Sequence, residues 1–94
     1  MGLLFEWDPK KARLNAKTHG ISFDEASTAF RDPLSQTIDD PLHSGDEERF
    51  VLIGRSMQGR LLVIVHTERD DRICIISARL ATKKERFRYE ENEE

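Results

Sequence analysis

Arg79, His66 and Glu68 stand at the ends of two apolar runs, and their types fit the chemistry of phosphate esters. Residues 72–79 alternate as a strand would, placing Ile73, Ile75, Ser77 and Arg79 on one side and Cys74, Ile76 and Ala78 on the other. Arg79 thereby continues an apolar row at a strand end, where its planar fork can clamp either a carboxylate or a phosphate. Leu62, Ile64, His66 and Glu68 alternate in the same way, setting an imidazole beside a carboxylate at the sheet's surface; a satisfied packing histidine is the alternative. Cleavage of RNA by its own 2′-hydroxyl needs a base for the hydroxyl proton, cations for the charged phosphorane and an acid for the departing 5′-oxygen. His, Glu, Arg and Tyr side chains can supply all three.

The distribution of charge is open to two readings. The chain has a net charge of −3, but residues 1–48 carry −5, residues 49–88 carry +6 and the last six carry −4. The cationic segment comprises Arg49, Arg55, Arg60, Arg69, Arg72, Arg79, Lys83, Lys84, Arg86 and Arg88. Such a segment in an acidic protein can hold a polyanion locally while the remainder limits indiscriminate sticking. Charges paired with acidic neighbours on a solvated surface are the competing explanation.

Other chemistries are disfavoured. His19, His43 and His66 are far apart in sequence and Cys74 is the single cysteine, which argues against a zinc site. "GRSMQG" lacks the lysine and following helix of a phosphate-binding loop, so no cofactor is expected. Cys74 lies in an apolar run and reads as a buried, reduced thiol. No stretch approaches the roughly 18 apolar residues of a membrane span and no signal pattern opens the chain, so the expected address is the cytoplasm.

Elements that would position these groups follow from local signals. At 94 residues the chain has room for a single domain, 1–94, with one thin core. Residues 3–7 read as a short strand. Asp8 as N-cap, Pro9 at the first helical position and Gly20 as C-cap delimit a first helix with a weak stripe of Ala12, Leu14 and Ala16. Ser22 and Glu25 form a capping box for a second, which buries Phe23, Ala26 and Phe30 and stops before Pro33. Residues 34–38 read as a strand followed by an acidic loop. Val, Ile and Leu then mark strands at 49–55, 60–67 and 72–79, with 61–65 apolar on both faces and therefore central. Thr82 and Glu85 form a further capping box, opening a C-terminal helix. The order β, α, α, β, β, β, β, α predicts an α+β fold, an antiparallel sheet packed by two N-terminal helices and one C-terminal helix.

Three blocks, "FEWDPKKARLNAKTHGISFDEA", "DEERFVLIG" and "IISARLATKKERFRYE", resemble the BrnT family of bacterial toxins in the right order over nearly the whole chain. The resemblance implies a RelE-like fold and a ribonuclease that stops translation without a metal. It also implies neutralisation by a BrnA-type antitoxin whose ribbon-helix-helix region binds promoter DNA, with a toxin dimer inside a heterotetramer. Carried onto this chain, it points to Lys17 and His19 in "KTHG", Glu48 and Arg49 in "EERF", and Arg79 with Glu85 in "SARLATKKE". Arg79 is the expected transition-state clamp, and Glu48 or His66 the expected base. Tyr89 would donate a proton or stack on a base, or else pack its helix against the sheet. Lys17, His19, Arg49, Arg69, Arg72, Lys83, Lys84 and Arg86 are the expected RNA contacts. Glu85 is better explained by its capping box with Thr82. Two rival readings are a module that binds RNA or the ribosome without cutting, and a non-enzymatic partner whose cationic edge receives an acidic antitoxin segment.

Overall fold

Asp8 and Gly20 bracket the first helix as their types require. In the computed structural model, which describes residues 2–40 and 48–91, a strand β1 (Leu4–Glu6) leads into α1 (Pro9–His19). The Asp8 carboxylate accepts from the Lys10 N–H at 2.8 Å, and Gly20, at φ 69°, donates its N–H to the Ala16 carbonyl. That left-handed backbone is cheap only for glycine. Ser22 caps α2 (Phe23–Thr28), which a 3-10 turn (Ala29–Arg31) extends toward Pro33. The next strand, β2 (Gln36–Asp39), starts two residues later than the sequence pattern places it. Asp32 accepts from the Leu34 N–H at 2.9 Å and folds this segment into a turn first. β3 (Arg49–Arg55), β4 (Leu61–Arg69), β5 (Arg72–Leu80) and α3 (Lys83–Glu91) complete the described chain. Residues 41–47, most of the expected acidic loop, lie outside the described residues, as does His43.

The five strands form one sheet in the order β1-β5-β4-β3-β2, with β4 at its centre. The sheet is not wholly antiparallel, which corrects the expectation from sequence. β2 to β5 follow one another as antiparallel neighbours, but β1 pairs parallel to β5 through Leu4 to Arg72, Phe5 to Ile73 and Glu6 to Cys74. The cause is the connection after β1: α1 and α2 carry the chain across the sheet, so β1 and β2 end on opposite edges.

Both faces are covered. Ile21, Phe23, Ala26 and Ala29 pack with Leu52, Leu62, Ile64, Ile75 and Ala78 beneath α1 and α2, and each large side chain so buried contributes roughly 1.5–3 kcal/mol. A smaller cluster, Ile53, Leu61, Val63 and Tyr89, joins α3 to the other face. Gly54 lets β3 pass the 3-10 turn, since a Cβ there would sit 2.8 Å from the Ala29 carbonyl oxygen.

Two expectations about faces fail for identifiable reasons. In the β4–β5 ladder Val65 pairs with Ser77 and His66 with Ile75, which leaves Ile76 as an extra residue in a bulge. A one-residue insertion exchanges the two sides of a strand. Ile75 therefore shares the α1–α2 face with Ala78, while Arg79 opposes Val63 on the α3 face. On α1 only Ala12 of the expected apolar stripe packs against the core. Leu14 is 64% exposed, and the one fully buried side chain of that helix is Asn15.

Candidate functional site

β5 and α3 together set the position of Arg79. Nη1 and Nη2 of Arg79 donate to the two carboxylate oxygens of Glu85 at 2.8 and 2.9 Å, and Nη1 also reaches the Leu80 carbonyl. Glu85 meanwhile completes its capping box: the Thr82 N–H donates to its Oε1 at 2.8 Å, and its own N–H donates to the Thr82 hydroxyl oxygen. The Arg79 guanidinium is the main reason that the Glu85 pKa falls to about 2, with the Thr82 backbone helping against the opposing effect of burial. One carboxylate thus starts the helix and orients the arginine. The Arg79 side chain remains 42% exposed. Lys83, Lys84 and Arg86 follow it, all exposed on α3.

A second carboxylate fixes the other end of α3. The Tyr89 hydroxyl donates to Asp32 Oδ2 at 2.5 Å, and Asp32 accepts from the backbone N–H groups of Arg55 and Leu34 as well. Burial opposes ionisation of Asp32, but these three donors outweigh it and hold the carboxyl below its ordinary range. Burial and the adjacent Asp32 push Tyr89 up to about 12. The Arg55 guanidinium lies 5.5 Å from the centre of the tyrosine ring.

Tyr89 is only 1% exposed, with its hydroxyl given to Asp32, so it does not stand at an open site. Its phenol is the anchor of α3, the packing alternative raised by the sequence. His66 departs from its expected place. It lies not at the sheet's surface but in the core, 2% exposed, with ring centres 4.9 Å from Phe30 and 5.8 Å from Phe50. Phe30 from the 3-10 turn and Phe50 from β3 close over it on that face. Burial lowers the His66 pKa, opposed in part by the Ile64 backbone and the charge of Glu68. Cys74 is a free thiol as expected, but half-buried rather than enclosed.

The expected cationic residues separate into two groups. Arg79, Lys83, Lys84 and Arg86 occupy the α3 end of the sheet, and α1 delivers Lys17 and His19 to its own C-terminus, beside the Gly20 carbonyl that Arg60 binds. Arg69 and Arg72 flank the β4–β5 turn, where Glu6 lies within 4.0 Å of both. Arg72 and Arg79 are seven positions apart along β5, roughly 20 Å. Glu48 and Arg49 belong to the second group, because Arg49 pairs with Thr67. Arg49 and Arg79 nevertheless share the α3 face of the sheet, their rows about 13 Å apart along the strands. Among the described residues, no three His, Cys, Asp or Glu side chains converge as a metal site would need.

Sequence reasoning missed three residues that hold this arrangement. Asn15 accepts from the Ala78 N–H at 3.0 Å and donates to the Ala78 and Ile21 carbonyls at 2.8 and 2.9 Å, replacing the neighbouring strand where β1 has ended. Glu25, expected only as a capping residue, turns its carboxylate to Arg60 and the Ser56 hydroxyl instead. The hydrogen bond from Arg60 is the chief reason its pKa is lowered against burial. Asp32 carried no signal beyond its place before Pro33.

Fold and site together define a small α+β protein, a mixed five-stranded sheet with helices on both faces and an arginine- and lysine-rich edge at one end. The sequence model of the ribonuclease toxin BrnT of type II toxin–antitoxin systems matches residues 7–85, and this chain belongs to that family. The 1.1 Å crystal structure of the Brucella abortus ribonuclease toxin, BrnT, has the same fold: the TM-score is 0.65 at 20% identity, over 87% of this chain and 100% of that one. No curated protein matches the sequence.

Proposed function

We propose that this chain is an endoribonuclease toxin that cuts RNA through its own 2′-hydroxyl, without a metal, and thereby stops translation in the cytoplasm. Membership of the BrnT family across residues 7–85 is the observation that carries the reading. In the reaction a base removes the 2′-hydroxyl proton, the oxygen attacks the adjacent phosphorus, and the 5′-oxygen leaves with a proton. A 2′,3′-cyclic phosphate and a 5′-hydroxyl end result. Arg79 is assigned the charge developing on the phosphorane, since its guanidinium is held in place by Glu85 and half open to solvent. Glu48, exposed at the start of β3, is the remaining candidate base now that His66 is buried. Lys17, His19, Lys83, Lys84 and Arg86 would hold the strand at the α3 end, and Arg49, Arg69 and Arg72 at the other.

A BrnA-type antitoxin with a ribbon-helix-helix DNA-binding region is the proposed partner, in a heterotetramer built around a toxin dimer. Burial of His66 and Tyr89 favours one second reading, binding to RNA or the ribosome without cleavage, because two of the four candidate proton-transfer and clamping groups are out of reach. Mapping RNA ends after tightly controlled induction separates the two. New 5′-hydroxyl ends, absent for a folded Arg79→Ala variant and suppressed by the antitoxin, are expected; growth arrest with intact RNA would establish the second reading instead.

A further inference from the structure

Tyr89 and Glu85, one turn apart, are the residues α3 turns toward the sheet, bonded to Asp32 and Arg79. Lys84, Phe87, Arg88 and Glu91 follow at the helical spacing of i, i+3, i+4 and i+7 and share the adjoining face. Phe87 is 65% exposed there, and the core beneath α3 is filled by Tyr89 without it. A lone exposed apolar residue needs no explanation. This one is different in its setting: Lys84 lies about one turn before it and Arg88 one position after it, and the three border a surface cavity of about 420 Å³ with Glu85 and Glu91. Lys83 and Lys84 also occupy the first turn of the helix, where the dipole mildly disfavours cations and Glu85 supplies the favoured charge.

We propose that this face of α3 is a stacking platform for single-stranded RNA, with a base on Phe87 and the flanking phosphates on Lys84 and Arg88. Exposed aromatic rings between cations bind single strands this way, because every base has a face to stack and every link a charge to neutralise. Glu85 is already bonded to Arg79, so Lys84 and Arg88 are opposed at this cavity by Glu91 alone, and the remaining positive charge beside the ring favours a single RNA strand over an apolar protein segment. Glu85 both borders the cavity and binds Arg79, so the platform adjoins the candidate clamp. The inference rests on the RNA reading above and extends the bound strand beyond the cleaved bond.

The test is fluorescence anisotropy of a labelled, 2′-O-methylated eight-nucleotide RNA, which cannot be cut, titrated with the full chain. Phe87→Ala should weaken binding about ten-fold, within the range found for single stacked bases. Phe87→Trp should restore it, and duplex RNA of the same sequence should be insensitive to both changes. Lys84→Gln with Arg88→Gln should weaken binding and reduce its salt dependence. If the unsubstituted chain binds and Phe87→Ala binds equally well, or if Trp fails to rescue at unchanged Tm, the platform is wrong while the RNA reading stands. Unchanged RNA binding with loss of antitoxin binding would assign the face to a protein. No binding by the unsubstituted chain would overturn both.

Discussion

Replacing Tyr89 by Phe removes one hydrogen bond and almost nothing else. The ring stays against Ile53, Leu61 and Val63 and keeps its contact with the Arg55 guanidinium. What is lost is the 2.5 Å bond to Asp32, whose carboxylate retains the N–H groups of Arg55 and Leu34. Hydrogen bonds to charged groups are worth about 1.5–3 kcal/mol, and two surviving donors put this loss in the lower half, about 2 kcal/mol. For a domain of this size that corresponds to a fall in Tm of roughly 8–16 °C. Circular dichroism on the single variants Tyr89→Phe and Asp32→Asn and on the double variant would isolate the pair, since the two changes should be far from additive. Residual RNA cleavage, measured well below each Tm, should persist in Tyr89→Phe. An unchanged Tm, additive variants and abolished cleavage would refute the anchoring role and return the phenol to the reaction.

The buried groups make further predictions. Asn15→Ala leaves the Ala78 N–H and two carbonyls in a closed region without their partners, and at about 1–3 kcal/mol for an unsatisfied buried group it should lower stability by about 3 kcal/mol or more in urea unfolding. His66 has a folded-state pKa below its unfolded value, so the unfolded chain takes up the proton first and stability should decline as pH falls below about 6.5. His66→Phe should flatten that decline between pH 7.5 and 5.5; an equal slope in the variant would assign it elsewhere. Glu85 behaves oppositely in range: its contribution is complete above its ordinary carboxyl pKa and lost only as pH falls toward about 2, so it leaves the higher window undisturbed.

Two of the expected site residues show why local reasoning reached the surface but not the interior. Arg79 could be assigned to a strand end from alternation alone, and its two possible partners, carboxylate or phosphate, followed from the shape of its fork. The bulge at Ile76 left that conclusion intact because it falls before Arg79, yet it moved Ile75 to the opposite face. For His66 the same alternation gave the side of the strand but not the depth. Depth was decided by Phe30 and Phe50, which come from elements far away in sequence. Nothing in the spacing of residues 62–68 encodes their presence.

The sequence by itself determined the elements, because helix caps and strand periods are bonds and patterns spanning only a few residues. Asp8, Gly20, Ser22 and the Thr82–Glu85 pair mark helix ends with interactions that close within four residues or fewer, and each acts there in the fold. Only the tertiary structure decided which edge β1 joins, that Asn15 binds Ala78 across 63 residues, and that Glu25 meets Arg60 rather than its own helix end. Those pairings depend on how the crossover after β1 lays α1 and α2 on the sheet, a choice made by burial of the whole core and not by any short stretch of chain.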